Sequence, residues 1–199
     1  MITRKEMTRM LLKEGLLSCL ADNSFESVTV TSLCKASGIT RSTFYLHYSN
    51  IMEIVDDLVD DAIAYSKPGM VDNNNLQTIA NTLSAASNSV SLREAYDSIF
   101  DRLPLCQRII RHKKYLPLFL DEQISEYVLQ RIIQREKDRQ GLVMAEALGI
   151  SFDVGVSVFV FLVHGLYAVN KEYKWSQSDQ WLEAQKIIFE LVYRGLQSK

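Results

Sequence analysis

Apolar residues recur at helical spacing along almost the whole chain, and this periodicity constrains the fold more than any other feature. The first such segment places its methionines and leucines on one broad face and most of its basic residues elsewhere. Alternating patterns typical of strands are scarce. We therefore predict an all-α fold. The predicted helices span residues 3–21, 30–37, 41–48, 50–66, 76–89, 91–111, 117–140, 145–173 and 178–197.

Composition is that of a soluble globular protein, with 199 residues, 47% hydrophobic, 23% charged and a net charge of −2. The net charge alone is not typical of a nucleic-acid binder. The charge is unevenly distributed along the chain, because residues 1–50 carry six basic and four acidic side chains. The N-terminal quarter is therefore basic relative to the rest.

The three cysteines, none of them in a CxxC pair, favour neither a disulfide framework nor a zinc site and are typical of a reducing cytoplasm. The N-terminus has no apolar core of a signal peptide. The most apolar run, Val154–Val163, is bounded by Asp153 and His164. At that length we predict a buried helix segment rather than a membrane span, and a cytoplasmic protein.

The segment Thr29–Tyr48 has the pattern of two short capped helices joined by a glycine turn. Thr29 and Thr40 are suited to cap their helices through their hydroxyls, and Gly38 stands where a left-handed turn is expected. In a helix-turn-helix the second helix enters the major groove of DNA and its first residues meet base edges. Spacing alone fits a purely structural helix pair equally well.

The start of the second helix favours the DNA-binding interpretation. Residues 40–43 all form hydrogen bonds and none is acidic. Arg41 can offer a bidentate fork to a guanine edge or a phosphate, and hydroxyl and imidazole groups suit phosphate oxygens. The predicted DNA contacts are Thr29, Thr40, Arg41, Ser42, Thr43, Tyr45, His47 and Tyr48.

The stretch from Thr29 to Glu53, TVTSLCKASGITRSTFYLHYSNIME, closely resembles the DNA-binding domain of TetR-family regulators. The matching elements are the Thr-Val opening, the Ala-Ser-Gly-Ile-Thr turn and the Thr-Phe-Tyr-x-His-Tyr recognition helix. The resemblance covers roughly residues 3–66. It implies about nine helices, a three-helix DNA-binding domain, a divergent ligand-binding C-terminal domain and a homodimer built on the last two helices, here about 145–173 and 178–197.

Two positions depart from the family pattern. Ile51 stands where members often have a phosphate-binding lysine, and Leu46 stands where many have an aromatic residue. Loss of the lysine removes about one phosphate contact from the salt-dependent affinity, unless Arg4, Lys5 or Arg9 compensates. The acidic cluster that follows is interpreted as a solvated helix face with partners on the first helix rather than a metal site. It comprises Glu53, Asp56, Asp57, Asp60 and Asp61.

The C-terminal body is rich in aromatic residues at helical spacing, which are typical of a core but also line ligand cavities. The final helix is apolar over more than one face, and the segment Val154–Leu166 combines apolar with small residues, which favours a dimer interface over an internal core. A basic cluster (Arg108, Arg111, His112, Lys113, Lys114) is interpreted as a solvated helix end, with an anionic effector as the alternative. The candidate effector-binding residues are Tyr96, Phe100, Phe119, Tyr127, Phe159, His164 and Tyr167.

No sequence pattern of a catalytic site is recognised: no glycine-rich phosphate loop, GxSxG or HExxH, and no metal-ligand spacing among the histidines. We therefore predict no enzyme activity, cofactor or metal. We expect a DNA-binding domain at residues 1–50, a connecting helix at 50–66 and an effector-binding and dimerisation domain at 67–199. The expected function is a ligand-responsive repressor that binds a palindromic operator as a homodimer. A protein-interaction adaptor is the alternative.

Overall fold

The computed structural model describes residues 3–66, 75–103, 107–108 and 113–197, and within these ranges the protein is all-α. The predicted fold class is confirmed: the described residues form ten α-helices and no strand, with 3-10 turns at Phe25–Ser27 and Phe100–Arg102. The helices are α1 Arg4–Asp22, α2 Val30–Ser37, α3 Arg41–Tyr45, α4 Ile51–Ser66, α5 Asn75–Ser84, α6 Ser89–Ser98, α7 Leu116–Leu120, α8 Ser125–Leu148, α9 Phe152–Glu172 and α10 Asp179–Gln197.

Several helix boundaries differ from the predicted ones, each for a local reason. The helix predicted at residues 117–140 is two helices, because the Asp121 carboxylate accepts from the backbone of Gln123 (2.9 Å) and Ile124 (3.1 Å) and so ends one helix before the next begins. Helix α8 continues to Leu148, past the predicted break. It ends at Gly149, whose φ of 63° is in the left-handed region.

Contacts between Cα atoms divide the chain into two compact units. Unit 1 comprises Met1–Tyr65 and Ile109–Gln134, and unit 2 comprises Ser66–Arg108 and Arg135–Lys199. Helix α8 contributes its first ten residues to unit 1 and the rest to unit 2. The boundary predicted from the sequence, by contrast, fell at residue 67 and assigned residues 109–134 to the second domain.

Unit 1 is built around side chains from α1 to α4. Leu12 and Leu16 of α1, Leu33 of α2 and Phe44 of α3 are completely buried, and α1 makes its most extensive contacts with α2. Helix α4 adds a buried apolar face through residues such as Leu58. Because α3 is only five residues long, its orientation depends on the burial of Phe44 rather than on its own helical stability.

Unit 2 has a core in which α5, α6, α9 and α10 meet. Trp181 of α10 is 1% exposed and packs edge-to-face on Tyr96 of α6, with 5.2 Å between ring centroids. The same core includes Leu166 of α9 and Leu83 of α5. Tyr96, a candidate effector residue, is therefore part of this packed core.

Helices α8 and α9 approach each other closely where two glycines meet. A Cβ atom placed on Gly155 would lie 2.3 Å from the carbonyl oxygen of Gly141, and one on Gly141 would lie 2.4 Å from Val156 Cγ2. Neither position has space for a side chain. The small residues therefore set the distance between these two helices.

Among the described helices, α9 alone is long and apolar enough to cross a membrane, judged by length and composition only. Only 28% of its most apolar window is buried. The prediction that the apolar run is buried is thus wrong for its outer face: Val154 is 49% and Phe161 is 71% exposed. These two residues are seven positions apart and so share a face of the helix.

Candidate nucleic-acid interface

The segment α2–turn–α3 has the capped geometry that the sequence predicts. Thr29 and Ser32 form a reciprocal capping box at the start of α2, and Gly38 ends α2 with a φ of 67°. At the start of α3, the Thr43 N–H donates to Thr40 Oγ1 at 3.2 Å. Both predicted N-caps and the predicted glycine turn are therefore confirmed.

The beginning of α3 presents a polar, acid-free surface to solvent. Arg41 and Ser42 are exposed, and Arg41 makes no hydrogen bond or ion pair with the residues that the structure describes. The hydroxyls of Ser42 and Thr43 lie 3.0 Å and 2.9 Å from Thr40 Oγ1. The guanidinium is thus available to a ligand, beside a small cluster of hydroxyls.

Tyr45 and His47 continue this surface. Tyr45 is 54% exposed, and its ring is held edge-to-face against the buried Phe44 at 5.0 Å between centroids. His47 is half-buried, and its Nδ1 atom is buried without a hydrogen bond to the described part of the chain. Nε2 is therefore the ring nitrogen through which His47 would meet a phosphate.

Tyr48 has a different environment from the other predicted DNA contacts. It is 3% exposed, its hydroxyl donates to Asp57 Oδ2 at 2.6 Å, and the Arg9 guanidinium lies 4.5 Å from its ring centroid. Burial, reinforced by the hydrogen bond to Asp57, raises the pKa of Tyr48 well above its ordinary value. We assign Tyr48 to the packing of unit 1 rather than to DNA contact.

The acidic stripe of α4 is paired with basic and phenolic groups of unit 1. Asp57 binds Arg9, and Asp61 binds Lys13, both on α1. The interpretation of these two acids as partners of the first helix is therefore confirmed. Asp56 has partners that sequence patterns did not suggest. It accepts from Tyr127 Oη and from Arg131 Nε of α8, each at 2.7 Å.

The start of α4 lies beside the candidate interface. Asn50 Oδ1 accepts from Glu53 N–H (3.1 Å), and the Glu53 carboxylate accepts from Ser49 N–H (2.8 Å), so the predicted capping box forms with the reciprocal bond shifted by one residue. Ile51 and Tyr45 line a shallow, mainly apolar depression of about 550 Å³. The position where the family often has a lysine is here part of an apolar surface.

The seven candidate effector residues do not all belong to one unit. Phe119 and Tyr127 lie in unit 1, where Phe119 is buried and Tyr127 binds Asp56. The other five lie in unit 2. Of these, Phe159 and Tyr167 are buried, and the Tyr167 ring packs edge-to-face on Trp175. The remaining positions are Tyr96 (buried), Phe100 (partly buried) and His164 (partly buried).

A polar network inside unit 2 was not found from the sequence. Gln107 Nε2 donates to Gln185 Oε1 at 3.1 Å, and Tyr96 Oη donates to Gln107 Oε1 at 3.2 Å. The Trp181 indole N–H donates to Asn170 Oδ1 at 2.8 Å. These amides are 0–1% exposed. Glutamine and asparagine are ordinarily surface residues, so composition carries no signal for such burial.

Two amide groups of this network end without a hydrogen-bond partner. Asn170 Nδ2 and Gln185 Nε2 are buried and make no hydrogen bond with the residues that the structure describes. The Asn170 orientation is fixed, since an indole N–H can only donate and must face the amide oxygen. An unmatched buried donor costs about 1–3 kcal/mol.

The basic cluster predicted at residues 108–114 is not one solvated surface. Arg108 is 3% exposed, which corrects its interpretation as part of a solvated helix end. Lys114 pairs with Glu14 of α1, and this hydrogen bond raises the pKa of Lys114 above its ordinary value. Arg111 and His112 lie outside the described residues. Within the described part of the chain, no group of three or more His, Cys, Asp or Glu residues is arranged to hold a metal ion.

No protein-family model, no curated protein and no solved structure matches this chain. The resemblance to TetR-family regulators therefore rests on the motif residues between Thr29 and Glu53 and on the capped helices that they form.

Proposed function

We propose that this protein is a DNA-binding transcriptional regulator of the TetR type, which binds a palindromic operator as a homodimer. The observation that carries the proposal is the exposed start of α3, where Arg41 makes no ion pair with the described residues and none of residues 40–43 is acidic. Such a surface matches the acceptor-rich edges and phosphates of the major groove. The Thr40 cap stabilises the start of α3, and the buried Phe44 orients the helix.

The apolar outer face of unit 2 supports the dimer. Phe161 on α9 (71% exposed) and Leu191 on α10 (66% exposed) are each followed one turn later by a glycine, Gly165 and Gly195. Nothing lies within 4 Å of a Cβ built on either glycine. An exposed aromatic or aliphatic side chain beside an open notch on the same helix is complementary to a copy of itself related by two-fold symmetry.

An effector site in unit 2 is the regulatory part of the proposal. The unmatched Asn170 Nδ2 and Gln185 Nε2 would donate to acceptor oxygens of a small molecule, and the buried aromatic rings nearby would contact its apolar part. Regulation requires that the effector bind one conformation better than the other. When the effector is bound, we expect the two recognition helices of the repressor no longer to fit half-sites about 34–36 Å apart.

The proposal is tested by selecting operators. Purified full-length protein is incubated with a random double-stranded DNA pool, and bound sequences are enriched and measured by gel retardation at several salt concentrations. We expect an enriched sequence with two-fold symmetry and an affinity that falls steeply with salt. Arg41→Ala should bind the enriched sequence more weakly. Arg135→Ala, which removes an exposed arginine of α8, is its control and should retain affinity.

Protein binding through the same surface is the second candidate function. The depression lined by Tyr45 and Ile51 favours it, since apolar depressions are typical of sites that accept a partner's side chains. Failure of the folded protein to enrich any DNA at low salt would refute the regulator and leave this adaptor function.

A further inference from the structure

Leu46 is the large hydrophobic side chain most exposed to solvent among the described residues, at 82%. It directly follows α3, and its backbone (φ −74°, ψ −18°) continues the α-helical conformation. Its side chain therefore keeps helical spacing. Ser42, four residues earlier, lies on the same face, flanked by Arg41 and Tyr45. An apolar group thus stands within the polar surface that would face DNA.

The major groove offers few apolar partners for such a side chain. Phosphates and most base-edge atoms are hydrogen-bonding groups, whereas the C5-methyl group of thymine is apolar. We propose that Leu46 contacts the C5-methyl group of a thymine and selects a T·A pair at one position of each half-site. This inference rests on the proposed DNA-binding function.

The helix geometry also places this thymine relative to the other contacts. Four residues of α-helix advance about 6 Å along the axis. A recognition helix follows the major groove, and side chains three residues apart on such a helix contact successive bases. The thymine that Leu46 contacts therefore lies about one base pair from the pair that Ser42 faces, on the side of the C-terminal end of α3.

Replacement of thymine by deoxyuridine tests the contact, because it removes the methyl group and leaves the base pair intact. Operators selected by the full-length protein are synthesised with deoxyuridine at one thymine at a time, and Kd is measured at fixed salt. We expect one position per half-site at which the wild-type protein binds about fourfold more weakly, the effect of losing one buried methyl group. Leu46→Ala should bind the thymine and deoxyuridine operators equally.

Two further variants make the result specific. Leu46→Met keeps an apolar side chain and should retain most of the preference for thymine. Val90→Ala removes a 70% exposed apolar side chain of α6, in unit 2, and should leave the full fourfold difference unchanged. Circular dichroism and thermal unfolding establish that each variant is folded.

The outcomes separate this inference from the function on which it rests. If the wild-type protein binds an enriched operator but no deoxyuridine substitution weakens binding, the thymine contact is wrong while DNA binding stands. If Leu46→Ala weakens binding to both operators by the same factor, Leu46 contacts the sugar-phosphate backbone instead, and the thymine contact is again wrong. If folded protein enriches no DNA, both proposals fall.

Discussion

At the scale of single residues, two predicted DNA contacts of the same motif have different environments. Arg41 is exposed and unpaired within the described residues, whereas Tyr48 is buried against Arg9 and bound to Asp57. The sequence predicted both as DNA contacts. Only the fold distinguishes them, because α3 ends at Tyr45 and the Tyr48 side chain, beyond that end, packs against residues of α1 and α4.

Arg41→Ala should weaken operator binding by about 1–3 kcal/mol, since a bidentate contact to a guanine edge would be lost. Arg41→Lys should recover little of this affinity, because an ammonium group cannot reproduce the fork of the guanidinium. Gel retardation on the selected operator measures both. Unchanged affinity and unchanged sequence preference in Arg41→Ala would show that Arg41 does not read a base.

Asp57→Ala should lower the free energy of unfolding by about 1 kcal/mol, because it leaves the Tyr48 hydroxyl and the Arg9 guanidinium without their acceptor. The value is at the low end because both members of the ion pair are partly exposed. Chemical denaturation measures it. Asp138→Ala, on the exposed surface of α8, is the control and should change stability by less than about 0.5 kcal/mol. Equal effects in the two variants would contradict a structural role for Asp57.

At the scale of helices, local signals predicted the starts and stops well where capping chemistry acts within three or four residues. The Thr29 box, the Gly38 turn and the Thr40 cap all depend on neighbours in sequence. The break at Asp121 and the extension of α8 to Gly149 were missed. The break depends on the Asp121 carboxylate, which binds the backbone of Gln123 and Ile124, and the extension ends where Gly149 adopts a left-handed conformation.

Gly155→Ala should destabilise unit 2 by about 1–3 kcal/mol, because the new methyl group would meet the Gly141 carbonyl oxygen and force α8 and α9 apart. Lys171→Ala, on the exposed surface of the same helix, is the control and should change stability by less than about 0.5 kcal/mol. Denaturant unfolding measures both variants, and equal effects would show that the crossing is not as tight as described.

At the scale of the whole molecule, packing within the described residues leaves the apolar outer faces of α9 and α10 uncovered. They expose Phe161 and Leu191, which a soluble monomer would ordinarily cover. The predicted homodimer would cover them and would also bring two copies of α3 to one operator. Dimerisation and DNA affinity should therefore be linked.

Phe161→Glu should shift the protein from dimer to monomer, because a carboxylate would be buried unpaired at the centre of the interface. Sedimentation and light scattering over a range of protein concentrations measure the shift, and gel retardation should show a parallel loss of operator affinity. Val90→Glu makes the same change on an exposed apolar residue of α6 and should remain dimeric. A Phe161→Glu protein that stays dimeric would place the interface elsewhere.

The sequence by itself determined the helical class, the capped helices around Gly38 and the polar tip at residues 40–43, because these follow from periodicity and from hydrogen bonds between near neighbours. Only the tertiary structure shows which side chains serve packing. In it Tyr127 donates a hydrogen bond to Asp56, Gln185 is buried and Leu46 is exposed. The physical reason is that burial and pairing depend on residues far apart in the chain, which no local pattern encodes.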